Sequence, residues 1–322
     1  MRLLGCTPTH KYVADLSLMK DMEYMLKKNK TSVLMYPEAG YSFDGCATTL
    51  PKKMGILMKR LGVPVVTVIT QGAFHRDPLY NMLQIRDVKV SAHVKCIATA
   101  EEVKEKSVDE LDALLAESFS FDNFAWQRDN RISIDVPFRA DGLHRILYKC
   151  PKCGAENRME GKGIQLTCHA CEKQWTMDEY GQLSANVGET EYPHIPDWYQ
   201  WQRECVRKEL EAGTYLLDAD VDIAVQVNLD GVCMIGEGHL KHDSDGFQLT
   251  GADGKLDYRQ SPVHSHTLYS DYYWYEIGDV IGIGDNEFSY FCFPKGEVSV
   301  TKARLATEEL YKMKKRKKEK NG

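Results

Sequence analysis

Apolar positions recur in two rhythms along the first hundred residues. Leu18, Met19, Met22, Met25 and Leu26 fall three and four apart, which predicts a helix over residues 15–30. Asp15 suits its N-cap, and Lys27, Lys28 and Lys30 suit the negative end of its dipole. A methionine stripe at this spacing is core filling. The runs Ser32-Val33-Leu34-Met35-Tyr36 and Val63-Pro64-Val65-Val66-Thr67-Val68-Ile69 are largely apolar and predict two strands, with a helix over residues 51–61 between them. Strand, helix and strand in that order predict a parallel pair with a right-handed crossover. The loop Tyr36-Pro37-Glu38-Ala39-Gly40-Tyr41-Ser42-Phe43-Asp44-Gly45 would then lie beyond a strand's carboxyl end, where open α/β sheets bind ligands.

Further on, residues 88–97 alternate enough for another strand. Thr99 with Glu102, and Ser107 with Glu110, have the capping-box spacing, and a helix is expected over residues 107–117. Residues 121–131 are aromatic and polar without a period and are read as packing over a domain edge. A helix over residues 198–212, capped by Asp197, carries Trp198, Trp201, Cys205 and Val206 on one side. Those tryptophans are expected to pack on the segment before them. After residue 213 the pattern turns to β. Strands are predicted over residues 221–227, 231–236, 246–250, 255–259, 264–269, 278–284 and 288–293, separated by turns such as Asp245-Gly246 and Asp253-Gly254. A helix over residues 298–315 closes the chain.

Between the two halves lies the most specific chemistry. Cys150-Pro151-Lys152-Cys153 and Cys168-His169-Ala170-Cys171 are two CxxC pairs separated by fourteen residues, the spacing of a four-cysteine zinc ribbon. Each pair aims two thiolates at one centre, and two pairs complete a tetrahedron. With no open position, such a metal is structural, and zinc is favoured over iron by ligand type. Gly154 suits the tight backbone after the first pair, and His169 reads as a spacer.

Two stretches resemble the 1-acylglycerol-3-phosphate (lysophosphatidic acid) acyltransferases. Pro37, Glu38 and Ser42 match that family's third motif in place, and Gly62-Val63-Pro64-Val65-Val66 matches its fourth. Ala39, Gly40 and Tyr41 stand where the family has Gly, Thr and Arg, so the usual guanidinium partner for a phosphate is missing. The resemblance implies an α/β acyltransferase-like domain over residues 1–131. It further implies transfer of an acyl group from acyl-CoA or acyl-carrier protein to a lysophospholipid hydroxyl, with Glu38 and Ser42 shaping the acceptor site. Arg76 is the candidate replacement cation. His10 and Asp15 have the family's His-x4-Asp spacing, in which the His is general base and the Asp orients it. Asp15 stands only 23 positions before Glu38, however, so the pair falls where the family places its second motif. The reading preferred on that ground is a loop histidine and a helix cap. An upstream segment carrying the true His-x4-Asp is expected, since Met1-Arg2-Leu3-Leu4-Gly5-Cys6 begins in mid-pattern. The alternative is a non-catalytic acyltransferase-derived protein that binds a partner or membrane through its ribbon and β domain. Seven antiparallel strands and one closing helix are also the layout of pleckstrin-homology-like modules.

Composition narrows this picture. At 322 residues and 43% hydrophobic, the chain can bury sizeable cores. The divisions expected are the acyltransferase-like domain over 1–131, a connector over 132–149, the ribbon over 150–190, a linker helix over 191–212, the β domain over 213–311 and a basic tail over 312–322. Six of the ten cysteines are scattered singly and no export signal precedes them, which points to a reducing cytoplasm. No apolar run is long enough to span a bilayer. Net charge is −6, yet residues 312–320 carry seven bases and one acid, leaving −12 on the first 311 residues. So acidic a body disfavours nucleic acid, while the tail suits peripheral contact with an anionic inner membrane surface.

Overall fold

The computed structural model describes Cys6 and residues 16–38, 40–227, 231–285 and 287–321. It is a mixed α/β fold in which, among the described residues, every strand pairing is antiparallel.

The N-terminal part holds α1 (Leu16–Lys27), α2 (Met54–Leu61), β1 (Val65–Gln71), α3 (Ala73–Arg76), β2 (Ser91–Ala98), α4 (Ala100–Glu105), α5 (Val108–Ser118) and α6 (Asn123–Asp129). Both capping boxes form: Thr99 and Ser107 accept from Glu102 and Glu110 backbone N–H groups, and each glutamate reaches back to its cap. The parallel unit does not form. Among the described residues, 32–36 form no strand and pair with none, and β1 runs antiparallel to β2, with Val68 opposite Val94. An apolar run says a segment can enter a sheet; it does not say which edge receives it or in which direction. Leu34 at 73% exposed and Tyr36 at 80% have found no such edge among the described residues.

The aperiodic stretch over 121–131 is also not irregular packing. It contains α6, whose cap is Asp122 accepting from the Ala125 N–H. Seven residues are too short to display a helical period, so the cap was the only signal. Helix α2 owes its start to a distant group. The Asp112 carboxylate on α5 accepts from Lys53 N at 2.9 Å and Gly55 N at 2.6 Å. Gly55 is required there, because a Cβ would stand 2.5 Å from the Val108 carbonyl oxygen.

Next come the small strands β3 (Met159–Lys162), β4 (Gln165–Cys168), β5 (Gln174–Met177) and β6 (Leu183–Ala185), paired in sequence order as one sheet. Helix α7 (Ile195–Ala212) follows; it begins before Asp197 because Pro196 is tolerated in a first turn, and it ends at Gly213 in the left-handed region (φ 69°).

The last part is a seven-stranded sheet. Strands β7 (Leu217–Val227), β8 (Val232–Asp243), β9 (Gly246–Gly251), β10 (Leu256–Gln260), β11 (Tyr269–Trp274), β12 (Gly278–Gly284) and β13 (Phe288–Pro294) lie in the order β10-β9-β8-β7-β13-β12-β11. Helix α8 (Val300–Asn321) packs on α7 and on β11 and β12. The strand expected over 264–269 is displaced: the aromatic run Tyr269–Trp274 is the strand itself. The turn after it is built from Tyr275 (φ 45°) and Glu276 (φ 62°), neither of which signals a hairpin in sequence.

One cluster of buried apolar side chains runs from Phe43 and Tyr80 through Phe124, residues 140–150, the small sheet and α7 to the β7–β13 sheet and Leu310. The stretch expected as a connector supplies Leu143, Ile146 and Leu147, all fully buried. A separate, smaller core joins Met58, Ala98, Val103, Leu111 and Leu115.

Candidate functional site

The four cysteines converge. Their Sγ atoms all lie within 4.8 Å of one another, with Cys150 to Cys171 and Cys153 to Cys168 each at 3.8 Å. A tetrahedral ion with bonds of about 2.3 Å to sulfur requires S···S separations of about 3.8 Å, so the donor set fits a structural metal site. The two turns are built alike. Gly154 N donates to Cys150 O and Cys150 N to Ala155 O; Glu172 N donates to Cys168 O and Cys168 N to Lys173 O. The residue after each pair is left-handed, Gly154 at φ 76° and Glu172 at φ 59°. His169 points away to Glu160 at 3.1 Å and is not a ligand, as its position between the cysteines implied.

The metal turns are rooted in the main core. Trp175 on β5 and Trp198 on α7 are fully buried and meet edge to face at 5.0 Å. Their indole N–H groups donate to Glu191 Oε2 and the Lys149 carbonyl. The expected packing of the α7 tryptophan on the ribbon is therefore present.

The Pro-Glu loop is a closed turn, but not one at a parallel-sheet edge. Glu38 Oε1 accepts from Thr48 N at 2.9 Å and from Thr48 Oγ1 at 3.0 Å. Ser42 Oγ donates to the Cys46 carbonyl at 2.6 Å, and Cys46 N donates to Asp44 Oδ1 at 3.2 Å. Burial pushes the Asp44 carboxyl above its usual range, against the Cys46 N–H that favours its charge. Gly45 (φ 79°) passes under Phe74, whose ring is 3.0 Å from where a Cβ would be, and its carbonyl accepts from the Asn123 side chain at 2.7 Å.

What sits on the loop was invisible in the sequence. Phe43 is buried and packs on both the Tyr272 ring of β11, with centroids 4.4 Å apart, and the Arg304 guanidinium of α8, 4.4 Å from its ring centroid. Arg304 Nη1 donates to the Tyr41 carbonyl at 2.8 Å. Around Arg304 lies a buried charge network. Arg304 Nε pairs with Glu308 at 3.3 Å, and Arg203 of α7 pairs with Glu308 at 2.7 Å and Glu309 at 3.1 Å. Burial alone would raise the Glu308 carboxyl, yet Arg203 and Arg304 together hold it below the ordinary range.

Arg76 ends α3 and is exposed; among the described residues no ion pair joins it to Glu38. Its neighbour His75 is buried, and its Nε2–H donates to the Asn123 carbonyl at 2.7 Å. Burial drives the imidazole down to about 4, so it sits in the core in its neutral form. The candidate pair His10 and Asp15 lies outside the described residues. Compared with known proteins, the chain matches no family model, no curated protein and no solved structure. Among the described residues no helix is long and apolar enough to cross a membrane.

Proposed function

We propose that this chain is an acyltransferase-like protein of phospholipid biosynthesis, in which the Pro-Glu loop forms the acceptor side of the site. The observation that carries this reading is the closed loop itself. The two side chains that match the acyltransferase motif, Glu38 and Ser42, are the ones that staple it, through Thr48 and Cys46. Thr48 fixes Oε1 of Glu38 and so aims the carboxylate for hydrogen bonding to a lysophospholipid hydroxyl or headgroup. In the reaction, the acyl carbon of acyl-CoA or acyl-carrier protein exchanges its bond to sulfur for one to the acceptor oxygen. The hydroxyl proton passes to a general base, which in the resembled family is the histidine of its His-x4-Asp motif, and from it to the departing thiolate. Exposed Arg76 is the candidate cation for the acceptor phosphate.

Zinc is the metal assigned to Cys150, Cys153, Cys168 and Cys171, as a closed four-sulfur shell suits it and leaves no place for substrate. The strand order of the last sheet, a four-strand meander joined through its first strand to a three-strand meander with α8 against it, supports a pleckstrin-homology-like layout. The basic end of α8 suits an anionic membrane surface facing the cytoplasm.

A second reading is favoured by one observation: the Ser42 hydroxyl donates to Cys46 and is already used. A loop so occupied fits a non-catalytic acyltransferase-derived protein that binds lipid or a partner. Thiol release from acyl-CoA and acyl-carrier protein, measured with lysophosphatidic acid, separates the two. Release that depends on the acceptor and falls about tenfold or more in Glu38→Gln supports transfer. No release with either donor, together with sedimentation on anionic liposomes, establishes binding alone.

A further inference from the structure

Arg304 lies in a helix more than 260 positions along the chain from the loop it touches. It is 4% exposed, and its three parts are all engaged on different partners. Nε bonds Glu308, Nη1 bonds the Tyr41 carbonyl, and the flat face covers the Phe43 ring. A Cβ built on Gly40 would stand 3.9 Å from Nη2, so the guanidinium rests against the loop backbone at two successive residues. Only a planar fork can stack, accept an ion pair and donate to a carbonyl at once; a lysine ammonium cannot. The loop lacks a cation of its own at Tyr41, and α8 brings one to that residue's backbone.

We propose that Arg304 is the positioning residue of the Pro-Glu loop, and that the loop holds its shape only while α8 is docked against it. The carbonyl of Tyr41 and the ring of Phe43 flank Ser42, so fixing both fixes the residue between them. The Tyr272 ring also packs on Phe43, with centroids 4.4 Å apart, so β11 contributes a second contact to the same residue. The C-terminal module is in this way a part of the loop's site and not an appendage. The proposal deepens the acceptor-site reading and rests on it only for the consequence for activity.

The test reads the loop directly, by hydrogen exchange on the full chain, so it stands whether or not the protein transfers acyl groups. The reporting amides are Cys46, Ala47 and Thr48, which donate to Asp44, Phe121 and Glu38. In Arg304→Met these are expected to exchange about tenfold faster or more, while Gly154 and Glu172 in the metal turns keep their rates. Glu308→Gln removes the ion pair but leaves the clamp, and it is expected to leave the loop amides slow. Arg304→Lys keeps the charge and is expected to behave like Arg304→Met. Equal exchange in Arg304→Met and the parent overturns the proposal, as does an effect that Glu308→Gln reproduces. Should Arg304→Met fail to fold, Phe43→Leu keeps the loop apolar without the stack. Faster loop exchange there supports the clamp, and unchanged exchange overturns it. A fast loop with thiol release unchanged would uphold the clamp and overturn the acceptor-site reading of the loop, whereas slow loop amides overturn the clamp alone.

Discussion

The largest buried core of this molecule and the small one beneath α2, α4 and α5 are built to different standards. The larger joins the metal turns, α7, the seven-stranded sheet and α8, and it buries two tryptophans and a run of tyrosines completely or nearly so. The smaller rests on five buried residues between α2, α4, α5 and the end of β2. Exposure follows the same division. Of the twenty-one large hydrophobics exposed among the described residues, fourteen fall between Tyr24 and Val94. They include Val66 and Val68 on the outer face of β1 and Val94, the partner of Val68, on β2. A valine- and isoleucine-rich strand suits a sheet covered on both faces, yet Val66 and Val68 of β1 are exposed. Stability should therefore be uneven, with the smaller unit opening first. The Pro-Glu loop belongs to the N-terminal third by sequence, yet Phe43 and the Arg304 clamp attach it to the larger core.

The largest effect that would sharpen this contrast is metal removal. Chelation, or Cys168→Ala, is expected to withdraw on the order of 10 kcal/mol of binding free energy from the larger core. The aromatic circular dichroism of Trp175 and Trp198 should collapse, because both rings pack directly behind the metal turns. The amides of α5 should keep their exchange rates. If α5 opens together with the tryptophans, the two cores are one cooperative unit and the contrast fails.

Next in size is Leu111→Ala, which truncates one of the five residues of the smaller core. It should cost about 2–5 kcal/mol, most of what so small a cluster supplies. Calorimetry is expected to show a low-temperature transition moving downward while the main transition stays in place. A single transition that shifts as a whole would again join the two units.

Mild acid should act on the larger core alone. His242, stacked 3.7 Å from Phe247 and bonded to the Tyr215 hydroxyl, is driven down to about 3 by burial, and His75 to about 4. Both native values lie below the unfolded value near 6.5, so the native state binds fewer protons. Their stabilisation is complete above pH about 6.5 and is lost as pH falls toward the native values, at about 1.4 kcal/mol per unit of pH for each histidine. His239 works in the opposite sense. The hydrogen bonds its ring donates to Asp220 and Asp218 raise it, so its contribution is present at low pH and fades on the alkaline side, weakened by solvent. In the smaller unit the shifted carboxylates are Glu102 and Glu110, held down by their caps, and Glu23, held down by Arg60 of α2; all three respond only below about pH 4.5. Urea midpoints measured between pH 6.5 and 5 should therefore fall for the Trp175 signal and hold for α5 exchange.

How much of this was legible in the sequence depends on the range of the interaction responsible. The capping boxes at Thr99 and Ser107, the metal turns and the Asp245-Gly246 turn are settled within a few residues, and each is where its spacing placed it. Asp112 capping α2, Arg304 holding the loop, and β2 rather than residues 32–36 as the partner of β1 are contacts between distant segments. No local pattern carries them. The site divides the same way: four cysteines were readable as one cluster, whereas Phe43 and Arg304 were not, because an aromatic in a loop and an arginine in a helix have many ordinary uses. The loop match to the acyltransferase motif was readable too, but the sheet edge it implied is not formed among the described residues.

The smallest effect is the most local. The metal turns differ in the residue that follows each cysteine pair, a left-handed Gly154 in one and a left-handed Glu172 in the other. A side chain in that region costs about 1–2 kcal/mol, and a glycine costs about 0.4–1 kcal/mol more than another residue in the entropy it loses on folding. Nothing lies within 4 Å of a Cβ built on Gly154, so Gly154→Ala carries no steric penalty and should cost only the conformational difference, about 1 kcal/mol. Glu172→Gly is the same exchange reversed and should stabilise by a similar or smaller amount. Both should move the tryptophan transition and leave the α5 amides unchanged. A Glu172→Gly chain that melts earlier would mean that the Glu172 side chain, not the backbone, supports its turn.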